Sequence, residues 1–382
     1  MANVQKRPDG RWRARYRDAA GKEHSRHFRR KVDAQRWLDE VTASIVTGQY
    51  VDPNADRILF RDYAEPWRAA QAHRPASQAH VEGMLRRHAY PFFGERQIAS
   101  ILPSEIQAWV TRLSTGDAAT KRKPLAPATV GVVHGILFQI FRAAVRDRKL
   151  MANPCEGTRL PRVEKRRLTP VSTAQVEKLR EALPAHLKAL VVLTAGTGLR
   201  QGEVFGLTRD RLRLLGRNPV VVVDRQLVQR RVTGPAFGPP KTKASYRTVP
   251  LPKIVVQALN NHIAQYDIAE DGLLFTMFGK PIVRSTFGHI FRPAAQAAGF
   301  TAETGTGMHA LRHYYASLLI RYGESVKTVQ VRLGHASAAE TLDTYSHIWP
   351  DAEDRTRDAI DEVLGKAEES RHRDHLGGPE HL

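Results

Sequence analysis

The chain of 382 residues contains a single cysteine, Cys155. One thiol excludes a disulfide framework and a thiolate zinc site, and it fits a reduced, cytoplasmic setting. Acidic residues are scarce, 39 Asp and Glu against 59 Lys and Arg, which leaves a net charge of +20. No carboxylate cluster offers itself as a magnesium site. No apolar run approaches membrane-spanning length, and Met1 to Arg13 is polar and basic rather than the apolar stretch of a signal peptide. No internal repeat at a solenoid period is visible. What is present in excess is positive charge. A field of this size attracts polyanions, and without a membrane segment nucleic acid is the expected partner rather than lipid.

Three segments separate along the chain, with a polar tail over 366–382 expected to be disordered. Residues 1–55 read as a small module. Arg11 to Arg17 alternates as a strand, Asp18 to Gly21 supplies a turn, and Lys22 to Phe28 offers a second strand. Val32, Trp37, Leu38, Val41 and Ile45 mark a helix ending near Gly48. This arrangement puts Arg11, Arg13 and Arg15 on an open sheet face. Residues 57–165 read as all-helical, with apolar residues at helical spacing around Phe60, Val81, Ile106 and Val130 to Ala144. A basic loop carrying Lys121, Arg122 and Lys123 interrupts that segment. Residues 57–169 hold 20 Lys and Arg against 9 Asp and Glu without an obvious catalytic group, which suits a DNA clamp. Residues 168–365 are mixed: Ser172 and Gln175 form a capping box, Leu187 to Leu193 is an apolar helical run, and Val220–Val223 and Arg247–Leu251 read as strands.

Four patches in the last segment carry the chemistry. Thr197-Gly-Leu-Arg-Gln-Gly-Glu203 makes a sharp turn that projects Arg200 from a helix start, where an anion is favoured. It is not a nucleotide phosphate loop, because Walker and GxGxxG spacings are missing. Pro240 to Leu251 places Lys241 and Lys243 between a Gly/Pro-rich loop and a strand. In His309-Ala-Leu-Arg-His-Tyr-Tyr315, His309 and Arg312 share one helix face, with Leu311, Tyr315, Leu318, Leu319 and Tyr322 as the buried stripe. His309 and His313 have zinc-like i, i+4 spacing but lack the glutamate of a zinc helix. Finally, Gly334 ends a helix and presents His335, while Tyr345 sits on a short helix with Leu342 and Ile348 as anchors.

Together these words resemble the tyrosine recombinase family of the phage and integrative-element integrase type. The family's ordered set of Arg, Lys, His-x-x-Arg, His and Tyr falls on Arg200, Lys241 (or Lys243), His309, Arg312, His335 and Tyr345. The resemblance implies a mainly α fold with small β-sheets: an arm-type ββ(β)α DNA-binding module, a helical SAM-like core-binding domain and an α+β catalytic domain. It implies two larger domains closing on duplex DNA at core-type and arm-type sites, a homotetramer on paired sites, and accessory DNA-bending and excision factors. The implied chemistry is strand transesterification through a 3′-phosphotyrosyl intermediate on Tyr345, without ATP, metal or other cofactor, in a nucleoid-associated protein. Arg200 and Arg312 would grip the phosphate oxygens, His309 and His335 would add hydrogen bonds, with His309 assisting proton removal, and the lysine would protonate the leaving oxygen. Glu203 reads as a structural partner of nearby cations. Among recombinases, a resolvase or chromosome-dimer enzyme is disfavoured by the arm-like module. A non-catalytic DNA-binding regulator is disfavoured by the complete set of six.

The charge excess itself makes a prediction. Affinity for duplex DNA should fall at least about tenfold between 50 and 200 mM salt, because bound phosphates release counterions. A titration that stays flat over that range would contradict a phosphate-tracking surface.

Overall fold

The computed structural model describes residues 2–17, 21–47, 57–117, 122–164, 169–230 and 234–349, together with Arg357, Asp361, Glu362 and Leu364. Gly48, Lys121 and the expected tail lie outside these residues. The chain divides into two compact units, residues 1–164 and 165–382.

The first unit opens with an antiparallel sheet of β1 (Asn3–Lys6), β2 (Trp12–Arg17) and β3 (Glu23–Phe28), with β2 central. Strand alternation sends Ala14 and Tyr16 inward, where Tyr16 stacks on His24 with centroids 5.1 Å apart. The inner face packs on α1 (Lys31–Val46) through Trp37 and Leu38. Val32 departs from the expected stripe: it is 65% exposed, and Ala34 takes its place inside. Arg13, Arg15 and Arg17 alternate onto the other face, and Arg13 is paired with Glu23 at 3.2 Å.

The remainder of the unit is helical: α2 (Phe60–Ala70), α3 (Pro75–Met84), α4 (Tyr90–Phe93), α5 (Pro103–Thr115) and α6 (Pro127–Arg146). Between α3 and α4 the helix widens to π geometry over Leu85–Ala89, a feature without a periodicity signal in the sequence. Contrary to the expectation that no run is long and apolar enough to cross a membrane, α6 is long and apolar enough by length and composition. Its apolar side is occupied instead: Val130, Val133, Leu137, Ile140 and Phe141 are buried in the core of this unit. Arg122 lies over Phe92 with its guanidinium 5.3 Å from the ring centroid, and Lys123 is exposed.

The second unit begins with α7 (Thr173–Ala182), capped by Ser172 and Gln175 as expected, and the buried α8 (Ala185–Thr197). A turn leads to the short α9 (Gln201–Phe205). A three-stranded antiparallel sheet then forms from β4 (Leu212–Arg213), β5 (Val220–Val223) and β8 (Arg247–Pro250), with β5 central. Between β5 and β8 sits a hairpin of β6 (Gln226–Arg230) and β7 (Gly234–Gly238). The Gly/Pro-rich loop is thus partly a strand, and Lys241 and Lys243 lie beyond the hairpin, on the turn into β8. α10 (Lys253–Gln265), a small β9–β10 ribbon (Thr276–Met277 and Lys280–Pro281) and α11 (Arg284–Ala297) follow. The unit ends in α12 (His309–Arg321), α13 (Val326–Leu333) and α14 (Ala338–Tyr345).

Two glycines fix the turns on which the site depends. Gly198 caps α8 at φ +64°, and a Cβ there would stand 2.5 Å from the Tyr315 ring. Gly334 caps α13 at φ +66°, and a Cβ there would meet the Ala244 carbonyl at 2.9 Å. Both left-handed turns need glycine conformationally, and both also need its missing side chain.

Candidate active site

Arg200, His309, Arg312, His335 and Tyr345 come from four separate stretches of the second unit, and packing brings them together. α12 runs through the middle of this arrangement and buries Arg312 at 1% exposure. Its guanidinium donates to the Gly198 carbonyl and to the Leu333 carbonyl, each at 2.7 Å. The expected stripe of α12 is only partly right, since Tyr322 is 84% exposed while Leu311 and Tyr315 are inside.

Arg200 follows the Gly198 turn as the residue preceding α9. The Arg200 amide is used internally, donating to Glu203 Oε2 at 2.8 Å. Its guanidinium donates to Glu203 Oε1 at 3.1 Å, Ser245 Oγ at 3.2 Å and the Gly334 carbonyl at 2.8 Å. Glu203 also receives Arg247 through two N–H donors at 3.1 and 2.8 Å, a bidentate pair in which both side chains are under 5% exposed. Burial works against charge on Glu203, but Arg247 and Arg200 outweigh it and hold the carboxyl below its ordinary pKa. Arg247 was not singled out in the sequence; its only signal is an arginine facing inward at the start of a strand.

The end of α13 is where these arginines meet. Three successive carbonyls, Arg332, Leu333 and Gly334, accept from Arg247 (2.8 Å), Arg312 and Arg200 respectively. Helix C-termini expose carbonyls and carry a partial negative charge, so three cations are well placed there. They still outnumber the one carboxylate. Burial and the neighbouring Arg200 accordingly depress the Arg312 pKa to about 9. A site with surplus buried cation is suited to an anion such as a phosphodiester.

His335 follows the Gly334 cap. Its Nδ1 shares a hydrogen bond with Thr341 Oγ1 at 2.9 Å, and its ring lies nearly parallel to the Tyr345 ring at 6.3 Å between centroids. α14 buries Thr341 and Tyr345, one turn apart, rather than the expected Leu342, which is 42% exposed. Ile348 does pack on this cluster. Tyr345 is 1% exposed, and burial raises its pKa to about 12 against the opposing pull of Arg312 and Arg200. Its hydroxyl lies 2.7 Å from His313 Nδ1, a residue considered in the sequence only as half of a zinc pair. His309, at the start of α12, keeps a solvent-exposed edge, and loss of solvation together with Arg312 and Arg200 lowers its pKa. Lys241 and Lys243 are both exposed on the segment before β8.

Glu203 gives a direct test of this arrangement. Glu203→Gln keeps the volume but leaves Arg247 and Arg200 without their counter-charge, so unfolding free energy at neutral pH should drop by about 3–5 kcal/mol. A carboxyl with a depressed folded pKa stabilises above the ordinary range of about 4 and loses that contribution as pH falls through the folded value. Denaturant melts across the acid range should therefore show a shallower pH dependence in the variant. Equal stability at neutral pH would show that the carboxylate is not the counter-charge.

Known proteins resemble the chain along most of its length. Residues 168–351 match the model described as the phage integrase family. Residues 2–47 match the phage integrase N-terminal domain, and residues 59–114 the phage integrase N-terminal SAM-like domain. A putative prophage phiRv2 integrase of Mycobacterium tuberculosis is 27% identical over 354 residues, covering 88% of this chain and 89% of that protein. Among solved structures, the Tn1549 transposon integrase in complex with transposon right end DNA is similar, with TM-score 0.65 and 23% identity over 80% of this chain and all of that one. A lambda integrase tetramer bound to a Holliday junction aligns with TM-score 0.54 and 19% identity, covering 89% of this chain and 94% of that one. With three integrase models in register along one sequence, the chain belongs to the phage integrase family of tyrosine recombinases, enzymes of site-specific DNA recombination.

Proposed function

We propose that the chain integrates and excises a phage or mobile element by cutting and rejoining duplex DNA through a 3′-phosphotyrosyl bond to Tyr345. The observation that carries this reading is a buried phenol beside a surplus of buried guanidinium. A phosphodiester is anionic and resists nucleophiles, and its pentacoordinate transition state gathers more charge on the non-bridging oxygens. Arg200 and Arg312 supply fixed positive donors where that charge grows, the largest kind of catalytic contribution. His335 and His309 add hydrogen bonds at the same centre. The Tyr345 oxygen attacks phosphorus as it loses its proton, a loss that the family resemblance assigns to His309, while the histidine nitrogen in contact with the hydroxyl is His313 Nδ1 at 2.7 Å. The phosphorus to 5′-oxygen bond breaks, and Lys241 protonates the departing oxygen; Lys243 is the alternative donor. In the second half a 5′-hydroxyl attacks the phosphotyrosine and Tyr345 leaves. One ester is exchanged for another, so no ATP is consumed.

The basic surfaces supply the rest. Arg11, Arg13 and Arg15 would contact arm-type sites, while Lys121, Arg122 and Lys123 in the helical segment, with Lys243, would contact core-type DNA. The proposed domains are 1–55, 57–165 and 168–365. The working form would be a tetramer on two paired sites, in a nucleoid-associated, cytoplasmic setting, assisted by a DNA-bending protein and an excision factor.

A nicked suicide substrate, which loses the 5′-hydroxyl strand and traps the adduct, tests the nucleophile. Wild type should give a protein–DNA adduct that protease digestion places on Tyr345. Tyr345→Phe should bind DNA and form none. An undiminished adduct in the Phe variant would remove Tyr345 from the reaction. On the same substrate Lys241→Ala should slow cleavage by about a hundredfold, within the usual range for general acid catalysis. A 5′-bridging sulfur needs little protonation to leave, so it should restore the rate of that variant. Rescue of Lys243→Ala alone would transfer the role to Lys243.

A further inference from the structure

One more titratable group touches the proposed reacting oxygen. His313 follows Arg312 on α12 and stands four residues after His309, so the three share one side of the helix. The imidazole is buried, and its ring meets the His309 ring edge-on with centroids 4.4 Å apart. It meets the Tyr345 ring at 65°, with centroids 5.5 Å apart and Nδ1 2.7 Å from the hydroxyl oxygen.

We propose that His313 is a positioning residue for the recombination reaction, its Nδ1 accepting the Tyr345 hydroxyl and so fixing where the attacking oxygen stands. The proposal rests on the reading of Tyr345 as the nucleophile.

A phenol as buried as Tyr345 needs a hydrogen-bond partner, and the identity of that partner determines the place of the oxygen. The obvious donors nearby are engaged elsewhere: both terminal nitrogens of Arg312 donate to carbonyls, and Arg200 donates to Glu203, Ser245 and Gly334. His335 Nδ1 is held by Thr341. Burial, with His309, Arg312 and His335 facing it, holds His313 in its neutral form. A neutral imidazole has one donor and one acceptor nitrogen, and with the proton on Nε2 the acceptor is the nitrogen that faces Tyr345. The phenolic hydrogen then points at His313, and the oxygen lone pairs turn away from it. The ring sits on the same helix as Arg312, so one rigid element places both an oxyanion-binding guanidinium and the nucleophile's anchor. Coupling the two positions in this way is what a short attack distance requires.

The test uses the full chain, the suicide substrate and three variants. His313→Asn keeps a polar atom close to the position of Nδ1, His313→Gln displaces it by a methylene, and His313→Leu removes it. The Leu and Gln variants should form the Tyr345 adduct about tenfold to a hundredfold more slowly, the cost of misplacing a reacting atom by ~1 Å, while Asn retains most of the rate. DNA affinity should stay near wild type, and the Leu variant should melt lower, because it leaves the buried phenol without its partner. The loss should persist on the 5′-bridging sulfur substrate, because the impaired step is attack and not departure. A wild-type rate in the Leu variant, or rescue by the sulfur, would overturn the proposal. Should the Leu variant fold poorly, Asn against Gln decides: the two amides are alike in polarity, and equal rates would overturn it. Absence of a Tyr345 adduct in the wild type would instead sink the nucleophile assignment, whereas a normal wild-type adduct with no His313 effect removes this inference alone.

Discussion

Three guanidiniums from three different elements close the C-terminus of one short helix, and the geometry of the site depends on that closure. Arg247, Arg312 and Arg200 each take one of the successive carbonyls of Arg332, Leu333 and Gly334. The two carbonyls just before these, Gln330 and Val331, accept from the backbone amides of His335 and Gly334 respectively. The helix end is therefore saturated with protein donors, and a helix end left open in a buried place would cost free energy at each carbonyl. Saturation fixes the direction of the chain as it leaves α13, and His335 is the next residue. The same contacts immobilise Arg200 and Arg312, so donors that would meet a phosphate need little reorganisation.

Holding that much cation in a dry place needs compensation. Glu203 provides one formal charge, shared between Arg200 and Arg247, while Arg312 has only carbonyl dipoles. Burying a charge without a partner is costly, and the lowered pKa of Arg312 is the visible sign of that cost. A phosphodiester entering the site would lift the penalty. Substrate binding thus relieves a strain that the folded protein already carries. Tyr345 has the complementary problem: burial holds its proton tightly, and the same two arginines pull the other way. The fold keeps Tyr345, the proposed nucleophile, neutral and shielded, with nearby cations able to stabilise the charge it would develop.

Much of this was legible in the sequence, for identifiable reasons. Arg200, Arg312, His335 and Tyr345 sit in short words whose glycines and helical spacing are local signals, and local signals survive without a structure. Gly334 as a cap is such a case. Arg247 and His313 were not legible as parts of the site, because their importance lies in partners 44 and 32 residues away. Burial patterns failed where two faces of a helix looked equally apolar. Leu342 and Tyr322 were expected inside and are exposed, since α14 turns Thr341 and Tyr345 inward and α12 ends before Tyr322 is covered. The membrane argument erred similarly. α6 has the length and hydropathy of a spanning helix, and only the packing of α2 to α5 around it identifies it as a core helix.

The positive charge of the chain is also of two kinds, and they respond to the medium differently. Arg11, Lys123, Lys241 and Lys243 are exposed, and mobile ions screen such charges within about 8 Å at physiological ionic strength. Arg312 and Arg247 are enclosed by carbonyls and a carboxylate, where ions do not reach. In the proposed function the exposed set would govern how strongly the protein holds DNA, and the enclosed set what happens to the phosphate once it is held. Salt should then act on occupancy while leaving the chemistry of the bound complex nearly untouched. Lys241 joins the two sets in the proposed reaction: its task there is chemical, yet it sits among the exposed groups. If Lys241 is the proton donor of the proposed reaction, its place on an exposed segment, apart from the buried Arg312 and Tyr345, would tie leaving-group protonation to the presence of bound DNA.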